Sequence, residues 1–231
     1  MNNSAKKSIV AKIVAIFWEP SATFHELQKQ TRWTDLVIPM LIVLSVSLIS
    51  SVYITPIAID ETKARIENSE NISDTQKEAA LEQIEKRANS PFQYVSTVVA
   101  IGIKWLVLAG VMLFVGNFFL GGELKYKSLL GITAYISLID ALNAGIKTPL
   151  MVSQGTTKIY SSLALFLTES DSFGYRFLTN IDFFAIWKII LFSIALGTFL
   201  NKKTSKPFCP IVIIWLLYAA AAAMLAGLAK F

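Results

Sequence analysis

A single cysteine, Cys209, excludes an internal disulfide, and a single histidine, His25, removes the residue types from which most transition-metal sites are built. A carboxylate site is not excluded on that ground. Charge is scarce as well. Asp, Glu, Lys and Arg make up 16% of the 231 residues, against about 25% in an ordinary soluble domain. The signatures of common enzymes are missing: there is no His-Glu-x-x-His, no Gly-x-Ser-x-Gly and no glycine-rich phosphate loop. No catalytic, cofactor-binding or metal-binding residue is therefore assigned, and the chain reads as a non-enzyme. The net charge of +5 does not point to nucleic acid, because the basic residues cluster beside apolar runs, where they set topology.

What the chain has is apolar residues in long blocks, 54% of the total. A bilayer core about 30 Å thick takes about 20 such residues as a helix. Five blocks qualify, at about 36–59, 94–120, 128–152, 182–200 and 208–231. The expected fold is all-α: a polytopic transmembrane helical bundle of five spans. The first block starts near Leu36, too far in for a cleaved signal peptide. Between the first two spans, 60–93 is polar. Ser73-Asp74-Thr75-Gln76 has capping-box form and predicts a helix from about Asp74 to Ala88. The whole loop reads as two short helices outside the membrane. Ile159–Leu167 is apolar but too short to cross, so an interfacial or re-entrant helix is expected there.

Ahead of the spans, residues 1–35 form a cytoplasmic interfacial segment. At 100° per residue, Ile9, Val10, Ile13, Ile16 and Phe17 share one face, with Lys7, Ser8, Ala11 and Lys12 opposite or beside it. This is the pattern of a helix lying in the membrane surface, with Lys6, Lys7, Lys12, Phe17 and Trp18 at the interface. The other reading is a helix packed on the rest of the protein. Pro20 ends it. Lys29 and Arg32, Lys125 and Lys127, and Lys202, Lys203 and Lys206 all fall on the side of the N-terminus in a five-span arrangement. Basic residues in short connections mark the cytoplasm, so the N-terminus is expected inside and the C-terminus outside the cytoplasmic membrane.

Charges inside spans are the sharpest site signal, since each costs about 2.5–3.5 kcal/mol by insertion scales. The intramembrane candidates are Lys104, Asp140, Asn143 and Lys188. Lys104 and Asp140 lie at similar depth, which allows either an ion pair fixing helix register or a polar track for an ion or small solute. Lys147 and Lys188 are shallower and can snorkel outward. Cys209 reads as either an acylation site or an idle thiol, and His25 as a surface histidine.

Several short patterns resemble the Yip-one family, the Ypt/Rab-interacting membrane proteins and their bacterial relatives. They are Phe17-Trp18-Glu19-Pro20 with Phe24, then Trp33 before the first span; Gly121-Gly122 in the tight turn after the second span, with Tyr135 in the third; and Asp182, Phe184 and Trp187 opening the fourth. Their order covers about residues 14–228. The third span has Leu138-Ile139-Asp140 where the family pattern leads one to expect a proline. The eukaryotic members' long soluble N-terminal region has no counterpart here, which argues against a GTPase partner. The resemblance implies a five-span bundle in a bacterial inner membrane that organises the membrane or scaffolds partners. Those partners would be the lipid bilayer, other membrane proteins or a second copy of the chain. The competing expectation is a small transporter or channel built on the intramembrane polar groups, although no internal repeat is evident.

Overall fold

The computed structural model describes residues 8–69, 73–88 and 90–228. Lys6 and Lys7 lie outside the described residues. Ten α-helices are seen among those described: α1 (Ile9–Trp18), α2 (Pro20–Lys29), α3 (Trp33–Glu67), α4 (Asp74–Ala88), α5 (Phe92–Phe114), α6 (Tyr126–Ile136), α7 (Leu138–Gln154), α8 (Phe173–Thr179), α9 (Phe183–Phe199) and α10 (Ser205–Leu228). A π-helical turn, Val115–Phe119, continues α5. The all-α expectation holds among the described residues.

Four helical stretches are long and apolar enough to cross a membrane: Trp33–Glu67, Phe92–Phe119, Tyr126–Gln154 and Ser205–Leu228. They expose rows of apolar side chains that water would not tolerate, such as Val95, Val99, Ile103, Leu106 and Val107 on α5 and Ile213, Leu217 and Leu225 on α10. The molecule is an integral membrane protein. The fourth expected span, 182–200, corresponds to α9, an apolar helix of only 17 residues that is not among these four.

Three expectations need correction. The polar loop does not hold two separate helices: α3 runs on to Glu67, through Pro39 and Pro56, for 35 residues. That is about 52 Å at 1.5 Å per residue, so its last turns project beyond an apolar core of about 30 Å. Only α4 is separate. Its capping box forms as read, with Ser73 N donating to Gln76 Oε1 at 3.0 Å and Gln76 N to Ser73 Oγ at 3.4 Å. The third span is two helices that meet at Ser137, whose amide returns to the Thr133 carbonyl at 2.9 Å. Finally, 159–167 is not a helix but an extended stretch with a single 3-10 turn, Leu163–Phe166. Its backbone pairs instead with the start of α9: Leu163 N donates to Ile181 O and Phe183 N to Ser161 O, each at 3.1 Å.

The chain divides into two units. One comprises Met1–Ile42, Trp105–Asp140 and Tyr160–Phe231. Its centre is α9, which packs against α10, α2 and α6 and buries Leu191, Phe192, Ala195 and Leu196. The other comprises Val43–Lys104 and Ala141–Ile159. There Glu61, near the end of α3, accepts hydrogen bonds from Thr156 Oγ1 (2.6 Å), Thr157 N (3.0 Å) and Thr157 Oγ1. Lys63 reaches Glu85 of α4 at 2.8 Å, and this hydrogen bond holds the Glu85 carboxyl below its ordinary pKa. This second unit also contains an open cavity of about 570 Å³ along α3, lined in part by Ser47, Ser50, Thr55, Thr62, Gln93 and Ala144.

Candidate functional site

The family-like residues and the buried charges converge in the first unit, beginning with the two N-terminal helices. Ser8 caps α1 by accepting from Ala11 N at 3.1 Å. Pro20 occupies the first position of α2, where its missing N–H costs nothing and its fixed φ favours helix entry. One turn on, Phe24 is fully buried beside Thr23 and Leu27. The Pro-x-x-x-Phe spacing is thus a helix start followed by its core anchor on the next turn. Gln28 closes the dock, its Nε2 donating to the Thr198 carbonyl at 3.1 Å and the Phe199 carbonyl at 3.4 Å. Those carbonyls lie in the last turn of α9, where that of Thr198 also accepts from Asn201 N at 3.2 Å.

Under these helices lies a buried ionic centre that the sequence reading did not include. Asp35, 0% exposed, sits in the first turn of α3. Its Oδ2 accepts from the Arg32 amide at 2.9 Å, reaching back over the helix start as an N3 acid does. Its Oδ1 accepts from Tyr135 Oη at 3.1 Å and from Lys12 Nζ. The same ammonium stands 5.9 Å from the Tyr135 ring centroid. A signal for Asp35 existed: an acid at the third position of a long apolar helix, among few acids in the chain.

Lys12 was read as a water-facing membrane-surface residue; the structure buries it, at 7% exposed. The reason is the carboxylate. Lys12 and Ile16 are one turn apart on the face turned inward, and a buried Asp35 compensates the ammonium that water would otherwise solvate. The outward face of α1 is also apolar: Val10, Val14 and Trp18, at i, i+4 and i+8, are exposed. Phe17 instead turns partly inward, its ring edge-to-face with Trp187 at 6.1 Å. The expected apolar face is thereby split: Ile16 turns inward with Lys12, while Val10 turns outward. Nearby, Trp33 is exposed at the start of α3, with Lys127 Nζ 4.8 Å from its ring centroid.

The glycine pair ends the π turn. Gly121 has φ +61°, which glycine adopts without strain, and Gly122 N returns to the Gly116 carbonyl at 2.9 Å. A Cβ on Gly122 would lie 2.3 Å from Leu200 Cδ2 and 2.9 Å from Gly116 O. Asn117 braces the turn through Leu124, donating to its carbonyl at 3.2 Å and accepting from its amide at 2.7 Å. At the other end of α9, Asp182 is the N-cap: Oδ1 accepts from Phe184 N at 2.8 Å and Oδ2 from Ser161 Oγ. Phe184 is buried and Trp187 half-buried. Glu19 is exposed between α1 and α2.

Of the intramembrane candidates, Asp140 of α7 and Lys188 of α9 meet, Nζ to Oδ1 at 2.6 Å, with both side chains 22% exposed. Lys188 therefore turns toward a carboxylate rather than snorkelling outward. Asn143, on α7, has a shielded Oδ1 with no hydrogen-bond partner. Lys104 is exposed on α5. None of these four lines the cavity of the second unit. Among the described residues, no cluster of three or more His, Cys, Asp or Glu could hold a metal ion.

A family model described as the Yip1 domain matches residues 14–226, nearly the whole chain. No curated protein and no solved structure matches it.

Proposed function

Because the chain belongs to the Yip1 domain family, we propose that it is a non-enzymatic membrane organiser that presents a docked N-terminal helix pair to the bilayer surface and to partner proteins. The observation that carries this reading is the buried Lys12–Asp35–Tyr135 centre. It fastens α1 to α3 and α6, which leaves Val10, Val14 and Trp18 to face outward. An apolar stripe held rigidly at the end of a span supplies membrane-surface area without the ordering cost of a free peptide.

In this reading α9 also crosses the membrane, as the fourth of five spans. Its 17 residues cover about 26 Å, at the short end of what a bilayer takes, and its burial among other helices spares it from matching the lipid thickness alone. The N-terminus, Lys125, Lys127 and Lys202–Lys206 then share the cytoplasmic face, most simply that of a bacterial inner membrane. The second reading, a solute conduit, has one observation in its favour, the cavity in the second unit. Its described walls carry hydroxyl and amide groups but no charge, so it would suit an uncharged solute rather than an ion.

Reconstitution separates the two. The full chain in liposomes should shift the vesicle size distribution while leaving entrapped small solutes in place. Unchanged vesicles together with protein-dependent solute release would overturn the organiser and support the conduit.

A further inference from the structure

Arg176 belongs to the first unit. It is carried by α8, which packs against α10 near the end of that helix. A Cβ on Gly227 of α10 would lie 2.7 Å from Arg176 Nη2, 3.0 Å from Cζ and 3.2 Å from Nη1. Three guanidinium atoms so close to one point mean that the flat group lies on the glycine backbone, in space any larger residue would fill. Its Nε is shielded from solvent and has no hydrogen-bond partner. Among the described residues no carboxylate pairs with it. The residue as a whole is only half-buried.

A guanidinium cannot shed its proton to escape such a place. Partial desolvation without a counter-charge is costly, and the negative end of the α10 dipole offsets only part of it. An anion is missing from this account. The surroundings say which kind. Leu165, Phe166, Leu167 and Phe173 are exposed beside α8, Phe166 at 80%. These side chains belong in the acyl-chain boundary, which sets Arg176 at the level of lipid headgroups.

We propose that Arg176, lying on Gly227, is a binding site for the phosphate of an anionic phospholipid in the leaflet at this end of the molecule. The fork takes two phosphate oxygens side by side, a geometry that a lysine ammonium does not offer. The apolar apron from Leu165 to Phe173 seats the lipid's upper acyl segments.

The test uses the purified full chain in a zwitterionic detergent. It is titrated separately with short-chain phosphatidylglycerol, short-chain phosphatidylcholine and inorganic phosphate. Thermal unfolding is followed throughout, and native mass spectrometry reports retained lipid. Phosphatidylglycerol should raise the unfolding temperature saturably and stay bound, at concentrations about tenfold below those needed for phosphatidylcholine. Inorganic phosphate should give no comparable shift. Arg176→Gln should erase the difference between the two lipids, Gly227→Ala should weaken it by displacing the fork, and Arg176→Lys should retain only part of it. Equal response of the native chain to both lipids would overturn the proposal, as would undiminished selectivity in Arg176→Gln. A matching shift from inorganic phosphate would make this a free-anion site instead. Should the variants fail to fold, the native chain's comparison of the two lipids and phosphate decides alone.

Discussion

Removing the charge of Asp35 while keeping its shape isolates what the buried centre contributes. In Asp35→Asn the single amide oxygen can keep the Arg32 amide or the Tyr135 hydroxyl as a donor but not both in place, and Lys12 is left 7% exposed without its carboxylate. Breaking a buried pair in this way costs about 3–5 kcal/mol. For a chain of this size, at about 2–4 °C per kcal/mol, that lowers the unfolding temperature by about 6–20 °C. Lys12→Met should cost less, because Asp35 keeps two donors. Tyr135→Phe removes one hydrogen bond to a charged acceptor, worth about 1.5–3 kcal/mol. The double variant Lys12→Met/Asp35→Asn strands no charge and should recover most of the Asp35→Asn loss. The assay is thermal unfolding of all four variants in one detergent, followed by tryptophan fluorescence. Losses that simply add in the double variant would refute the coupling, and with it the account of why Lys12 turns inward.

Phe24→Ala removes a fully buried ring from the N-terminal dock, and a cost of about 3–5 kcal/mol should show as faster proteolysis between Trp18 and Trp33 in detergent. Gly122→Ala places a Cβ against Leu200 and the Gly116 carbonyl, so its unfolding temperature should fall further than that of Gly110→Ala, where nothing lies within 4 Å. A cytoplasm-only reporter fused within 201–207 should be active, and one after Phe231 inactive; the reverse pair would overturn the proposed topology. The Lys63 contact holds Glu85 below its ordinary 4.5, so it is intact above that pH and is lost as pH falls through the lowered value. Exchange protection of α4, corrected for intrinsic rates, should therefore be level from about pH 7 to 5 and decline as pH falls below the ordinary glutamate range.

The helices were legible because they follow from local chemistry. Apolar block length announced five membrane-crossing stretches, four of which are helices long enough to cross, the Ser73–Gln76 box announced α4, and Pro20 marked the break between α1 and α2. The short patterns that carry the family resemblance were also visible, because a helix start, a glycine turn and an N-cap each depend on a few adjacent residues. Misreadings arose where a remote partner decided. Residues 159–167 looked like a short helix, but the backbone at the start of α9 offered the stretch a pairing partner. The helical wheel of α1 grouped Val10 with Ile16 and set Lys12 on the wet side, but it could not register that Asp35, 23 residues on, draws Lys12 inward with Ile16 and leaves Val10 outside.

The sequence by itself therefore determined an all-helical membrane protein with its breaks and caps, because apolar length and capping chemistry act within a few residues. Only the tertiary structure decided that Lys12 is buried against Asp35, that Lys188 meets Asp140 and that Arg176 lies on Gly227. Each joins residues at least 23 positions apart, and a charge settles where a distant group compensates its lost hydration, which no local pattern records.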